Sequence, residues 1–303
     1  MTIQSVKSIS DGQRQHLKYL VFNAIDKALA EFNLEKHSAQ RIIENPTEFQ
    51  LYLKELIHKY SVTNQFADEE VRSNYTYPTE YKGPKPINDQ IKVIAEIFGL
   101  DLSHEFEFAK TLPELPMGAE GWFAIPTVDA VASKYFPDIT DTALRYCRAV
   151  ELVLELIGKS RKFCNYLDGY ITPDRLRQHP RTLNALNKLS QIQKNSQILI
   201  FPAQYGKLHG GRSVRRAREC FVGDEFGLGA FAVGCMALVH PERYVRWEEL
   251  DTECAGDEFA PVADGDFSRA PIFRFFGGRV WFDSGLFDSA YGGYGSVSAF
   301  LQQ

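Results

Sequence analysis

The sequence predicts an α+β protein, in which a helical N-terminal part precedes a C-terminal domain with a small antiparallel sheet. Three observations carry this expectation. Apolar residues recur at steps of three and four over the first 60 residues, six prolines interrupt residues 68–126, and the last hundred residues hold short alternating aromatic segments joined by glycines. The expected divisions are residues 1–67 (helical), 68–126 (proline-rich loop and linker with one helix) and 127–303 (α+β domain), with the boundary between bodies near 68–86.

The elements follow in order. Leu17, Leu20, Val21, Ala24, Ile25, Ala28, Leu29 and Phe32 form one stripe of a first helix, and Phe49, Leu53, Leu56, Ile57 and Tyr60 one side of a second. Their packing together as a hairpin is expected. Proline removes the amide donor and restricts the residue before it, so 68–126 reads as loop, with one helix near Ile87 to Phe98. Asp141 to Gly158 reads as a helix burying Ala143, Tyr146, Cys147, Val150, Val153, Leu154 and Ile157, stopped by Gly158. A helix over Arg181 to Lys194 and a buried strand over Gln197 to Phe201, ended by Pro202, come next. Ser213 to Phe221 reads as a short helix, and Phe226 to Val239 is apolar all round and therefore buried. Pro271 to Phe276 and Arg279 to Asp283 alternate around Gly277-Gly278, which supply the positive φ angles of a two-residue hairpin. Ser296 to Leu301 reads as a last strand.

Composition excludes several classes. With 22 Phe and 14 Tyr the chain does not stay solvated and disordered, and a pI near 5.9 argues against a globally basic nucleic-acid binder. Five cysteines without a Cys-x-x-Cys pair point to reduced thiols in a cytoplasm. The opening residues lack the apolar core of a signal peptide, and the longest apolar run, Phe226 to Val239, is shorter than the roughly 18–20 residues that span a bilayer. The expected location is cytoplasmic, with no membrane partner.

Arg212, Arg215, Arg216 and Arg218 make the clearest charge feature. On a helix the first three share a face and could grip phosphate or nucleic acid. Residues 248–266 carry eight acids and no base, so an internal ion-pair network is the competing expectation. Asp257, Glu258, Asp264 and Asp266 do not follow calcium-loop spacing, and Cys220, Cys235, His240 and Cys254 lack the close ligand pair of a zinc site. No metal and no cofactor is expected. Gly227-x-Gly229-x-x-Ala232 formally matches a dinucleotide fingerprint, but polar residues 222–225 precede it where a buried strand should, and close packing of small residues is the plainer expectation. No catalytic site is assembled. An alternative enzyme site would need His209, Arg212, Cys254, Asp257 and Glu258 to converge. Around Gly292, Gly293 and Gly295, the residues Arg279, Trp281, Tyr291 and Tyr294 form an aromatic ligand-binding candidate, since rigid rings give contact area at low entropy cost.

The segments Ala203–Gly206, Gly211–Arg218, Glu225–Gly234, Cys254–Pro261 and Tyr294–Leu301, with Glu120–Pro126 upstream, resemble a group of uncharacterised proteins from small-genome, uncultivated bacteria. The layout of the last hundred residues is similar to C-type-lectin-like and formylglycine-generating-enzyme-like domains, which pass from a short helix to an apolar strand, an aromatic hairpin and a glycine-containing final strand. The resemblance implies a ligand surface on the terminal strands. It transfers no catalytic residue, because the pair of catalytic cysteines is missing. The resulting expectation is a binding or interaction protein for an unknown protein or small ligand, whose arginine and acidic segments satisfy each other. Nucleic-acid binding through the arginine helix and the alternative enzyme site are its rivals.

Overall fold

The computed structural model describes residues 10–32, 34–101, 105–247 and 249–301. The chain is α+β and divides into two compact units, Met1–Ser61 and Val62–Gln303. The division falls ahead of the expected interval 68–86, because much of the proline-rich stretch belongs to the second unit's core.

In the first unit, α1 (Asp11–Phe32), α2 (Lys36–Glu44) and α3 (Pro46–Ser61) replace the expected pair of helices. The apolar stripes do not seal against each other as expected, since no described residue of this unit is buried. Leu20, Ala24, Ala28, Phe49, Leu53 and Leu56 line an open apolar groove of about 690 Å³ between α1 and α3.

The second unit begins with α4 (Ile87–Phe98), whose end is set by Gly99 at a φ of 60°. Next come α5 (Glu105–Ala109), β1 (Gly121–Pro126), α6 (Val128–Tyr135) and α7 (Thr142–Ser160). The Asp141 carboxylate accepts the Leu144 N–H at 2.7 Å, which caps α7. The helix runs past Gly158, and Ala149 is buried in place of the exposed Ala143. Strands β2 (Phe163–Asn165) and β3 (Leu176–Gln178), helix α8 (Pro180–Ile192) and strand β4 (Ile198–Gln204) follow. Pro202 does not stop β4. It pairs with Trp122 on β1, and its missing donor is tolerated because pairing on the other edge reaches only Ala203.

Helix α9 (Val214–Cys220) is capped by the Ser213 hydroxyl. The apolar run, buried as expected, then divides into β5 (Glu225–Gly227) and a helix, α10 (Ala230–Val239), where the lectin-like layout implied a strand. Being apolar on every side, α10 is packed among α4, α7 and β1, and a methyl on Gly234 would meet Val153 of α7 at 2.4 Å. The remaining strands are β6 (Asp251–Glu253), β7 (Asp257–Phe259), β8 (Arg269–Phe276), β9 (Arg279–Leu286), β10 (Tyr294–Ser296) and β11 (Ser298–Phe300). Among the described residues no helix is long and apolar enough to cross a membrane.

Two sheets result. The first has the order β1-β4-β11-β5 and is antiparallel throughout. The second is centred on the β8–β9 hairpin, turned by Gly277 and Gly278 with φ of 59° and 75°. Strands β6 and β7 share one edge of β8, β10 lies beside β6, β3 beside β7, and β2 beside β9. The pairs β10–β6 and β2–β9 are parallel, so this sheet is mixed where an antiparallel one was expected. The expected final strand is two strands in different sheets, hinged at Val297. Phe273, Phe282 and Val280 fill the inner side of the second sheet. Each large side chain buried there contributes roughly 2–3 kcal/mol.

Candidate functional site

Register assembles the site. Tyr294 lies opposite Asp251, Arg274 opposite Trp281, and Trp281 opposite Cys164. Thr252 pairs with Phe273, and one further antiparallel step brings Asp251 beside Arg274. Residues directly opposite one another share a face, so Tyr294, Asp251, Arg274, Trp281 and Cys164 form one row across five strands, roughly 19 Å wide. All five are half-exposed, whereas Thr252, Phe273, Val280 and Phe282 on the other face are buried.

Rings extend the row at both ends. Tyr166 stacks on Trp281 at 4.7 Å, and the Trp281 indole N–H donates to the Phe276 carbonyl at 2.8 Å, which fixes the ring. Tyr291, which is exposed, packs edge-on against Tyr294 at 4.9 Å. Arg279 is exposed two residues before Trp281, on the same side of β9. The predicted residues Arg279, Trp281 and Tyr294 therefore share one face, with Tyr291 leaning on it. Sequence reasoning missed the polar centre of the row, Asp251 and Arg274.

That centre is electrostatically unusual. Burial pushes the Asp251 carboxyl up to about 7, against the pull of Arg274 and Arg243. Two residues on, Glu253 is buried and raised to about 8 by desolvation, although the Ser296 hydroxyl donates to it at 3.0 Å. Arg274 pairs with Asp283 at 3.4 Å, and its Nε–H has no partner among the described residues. The face thus offers a carboxyl that changes charge near neutrality, a half-buried guanidinium and ring walls.

The arginine helix is committed elsewhere. Arg215 makes a two-pronged pair with Glu69 and lies against the Phe66 ring. Arg212 meets Glu70 at 3.1 Å, and Arg216 meets Glu70 at 3.3 Å and Glu219 at 2.8 Å. Only Arg218 turns to the acidic stretch as expected. It donates to the carbonyls of Ala255 and Asp257 and lies 3.6 Å from Glu258. The acids that satisfy the other three are Glu69, Glu70 and Glu219, which the sequence reading did not name.

Glu219 also accepts the Thr63 hydroxyl and the amides of Gln65 and Phe66, tying residues 63–66 to α9. Burial alone would raise it, but these donors hold it at about 2. Glu219→Ala leaves Arg216 with the more distant Glu70 alone and strips the Thr63, Gln65 and Phe66 donors of their acceptor, so we expect a loss of about 3 kcal/mol in urea denaturation. A change below about 1 kcal/mol would show the network to be an ordinary surface one.

Of the alternative enzyme residues, His209 and Arg212 meet, and the polar groups of His209 and Asp257 are taken up by other partners. His209 lies between Glu225 (2.7 Å) and Arg212 (2.9 Å), while Asp257 accepts from the Tyr146 hydroxyl and the Ala230 amide at 2.7 and 2.6 Å. Burial raises the Cys254 thiol far above its ordinary value, so it stays protonated. Gly227 closes the short buried strand β5, which was not expected, while the expected turn occupies residues 223 and 224. The N-terminus of α10 that a phosphate would use is nonetheless taken by the chain's own Asp257. Among the described residues no group of three or more His, Cys, Asp or Glu could hold a metal ion.

No protein-family model, curated protein or solved structure matches the chain. The functional reading therefore rests on the chain's own geometry.

Proposed function

We propose that the second unit is a binding module that takes a flat, polar ligand across the outward face of its second sheet. The observation that carries this reading is the single row joining Tyr294, Asp251, Arg274 and Trp281, drawn from four strands and left half-exposed. Tyr and Trp give stacking area with few rotatable bonds. The half-buried Arg274 guanidinium offers a positive charge, and Asp251, near its midpoint at neutral pH, donates or accepts. A planar group with an amide-like edge matches this set. The likeness to C-type-lectin-like domains, limited to the aromatic hairpin and the glycine-containing strand because α10 replaces their apolar strand, is in keeping with a ligand surface here. Nucleic-acid binding is the weaker reading, because Arg212, Arg215 and Arg216 are already engaged by carboxylates.

The test is a ligand-observed NMR screen of planar amides, short peptides included, against the full chain. Hits should weaken at least about tenfold in both Trp281→Ala and Tyr294→Ala, as expected for anchoring aromatics. Binders unaffected by either change would place recognition elsewhere.

A further inference from the structure

Six of the eight buried side-chain polar atoms that lack a partner among the described residues lie in one cluster. They are the hydroxyls of Tyr81, Tyr205 and Tyr244, both ring nitrogens of His240, and Nε of Arg243. The cluster is tight. Tyr81 lies 5.8 Å from Tyr205 and 5.9 Å from His240, and Tyr205 lies 6.2 Å from Tyr244, ring centre to ring centre. The Arg243 guanidinium sits over the rings of Tyr77, Tyr205 and Tyr244 at 4.5, 5.3 and 5.2 Å. Buried polar groups are normally satisfied, so six orphans in one place call for a reason.

Charge supplies it. Arg243 is 1% exposed and donates only to the Leu250 carbonyl and the Thr252 hydroxyl, with no carboxylate at ion-pair distance among the described residues. Arg161, beside it, donates to the carbonyls of Tyr244 and Pro241 and also has no carboxylate at that distance. The nearby acids are engaged: Glu120 accepts from the Tyr77 hydroxyl and the Tyr205 amide, and Glu242 faces Lys85 and lies 3.6 Å from His240 Nδ1, beyond hydrogen-bond distance. Burial keeps the three phenols protonated and pulls His240 down to about 4, so the imidazole is neutral and carries one N–H. The sum is an excess of donors around a desolvated cation, and an unpaired buried charge is strongly unfavourable.

We propose that Tyr81, Tyr205, His240, Arg243 and Tyr244 form an internal site for a small monovalent anion, of halide to nitrate size. An anion accepts from every one of these donors and balances the guanidinium. Water offers no charge and brings donors of its own to a donor-rich cluster. The site lies on the inner side of the second sheet, where Thr252 points, away from the Tyr294–Trp281 face, and does not depend on the binding role proposed for that face.

Bromide is the probe. Crystals of the full chain soaked in sodium bromide should show an anomalous peak within hydrogen-bond reach of Arg243 Nε. In solution, bromide and chloride should raise the melting temperature saturably, above the effect of sodium gluconate at equal ionic strength, because gluconate is too bulky to enter. In Tyr205→Phe and Tyr244→Phe the apparent affinity should fall at least about tenfold, the worth of one hydrogen bond to a charged group. No bromide peak in the wild type overturns the proposal, whether or not the variants fold. Identical responses to bromide and gluconate also overturn it and leave a cluster filled by water.

Discussion

Gly256→Ala is expected to lower the stability of the second unit by about 4 kcal/mol or more, the range reserved for a forced backbone rearrangement. A methyl on Gly256 would lie 2.5 Å from the Gly229 nitrogen and 2.6 Å from the Gly227 carbonyl oxygen. The reverse is also true, since a methyl on Gly227 meets Ala255 at 2.5 Å. These neighbours are main chain, so no rotamer change relieves the clash. The Gly256 amide donates to the Leu228 carbonyl, and the next residue is the Asp257 that caps α10 and binds Tyr146. Pushing the turn outward therefore uncaps a buried helix as well. Gly285→Ala is the control, because its added methyl meets nothing within 4 Å. Urea denaturation of both variants decides, and equal midpoints would contradict the argument.

Stability is expected to fall by on the order of 3 kcal/mol between about pH 6.5 and pH 8. Burial lifts Asp251 and Asp257 to about 7 and Glu253 to about 8. The folded state keeps protons that the unfolded carboxyls have released, so this stabilisation disappears as pH rises through the folded values. Two histidines act in the opposite sense. Burial pulls His179 and His240 to about 4, so folding gains stability as pH climbs from 4 to 6.5, where the unfolded imidazoles still hold protons that the folded ones have released. Below 6.5 the two histidines offset two of the three carboxyls, and above it the carboxyls dominate as the unfolded imidazoles finish titrating. Glu219, held at about 2, adds a loss only in acid below about 4.5. Glu253→Gln should remove about half of the alkaline fall. A denaturation free energy that is flat from pH 6.5 to 8 in the wild type would refute the assignment.

Local features were legible in the sequence and long-range ones were not. Helix α7 announced itself through its stripe and Asp141, and the β8–β9 turn through Gly277 and Gly278, because caps and periodicity act within a few residues. Strand β1 was hidden among prolines, and the role of Pro202 inside β4 depends on where β11 stops pairing, information about 95 residues away. The same limit explains the site. Trp281 and Tyr294 stood out as rings near glycines, but Asp251 and Arg274 become central only through register between distant strands. Likewise, the arginines were sensibly expected to meet acids, yet Glu69 and Glu70 lie some 145 positions upstream, in a stretch taken for a linker. A stripe of leucines predicts a helix face without stating what covers it, as α1 and α3 demonstrate.

Strand β11 sits between β4 and β5, so neither partner is stitched to the other until residues 298–300 have been synthesised. A ribosome making this chain thus holds an unfinished sheet, with β4 waiting beside β1 and β5 unattached, while the residues from 228 to 297 are added. Closure is a late, long-range event of the kind that slows folding and leaves edges open to misassembly. Nascent second units should depend on chaperone shielding until residues 298–300 clear the exit tunnel.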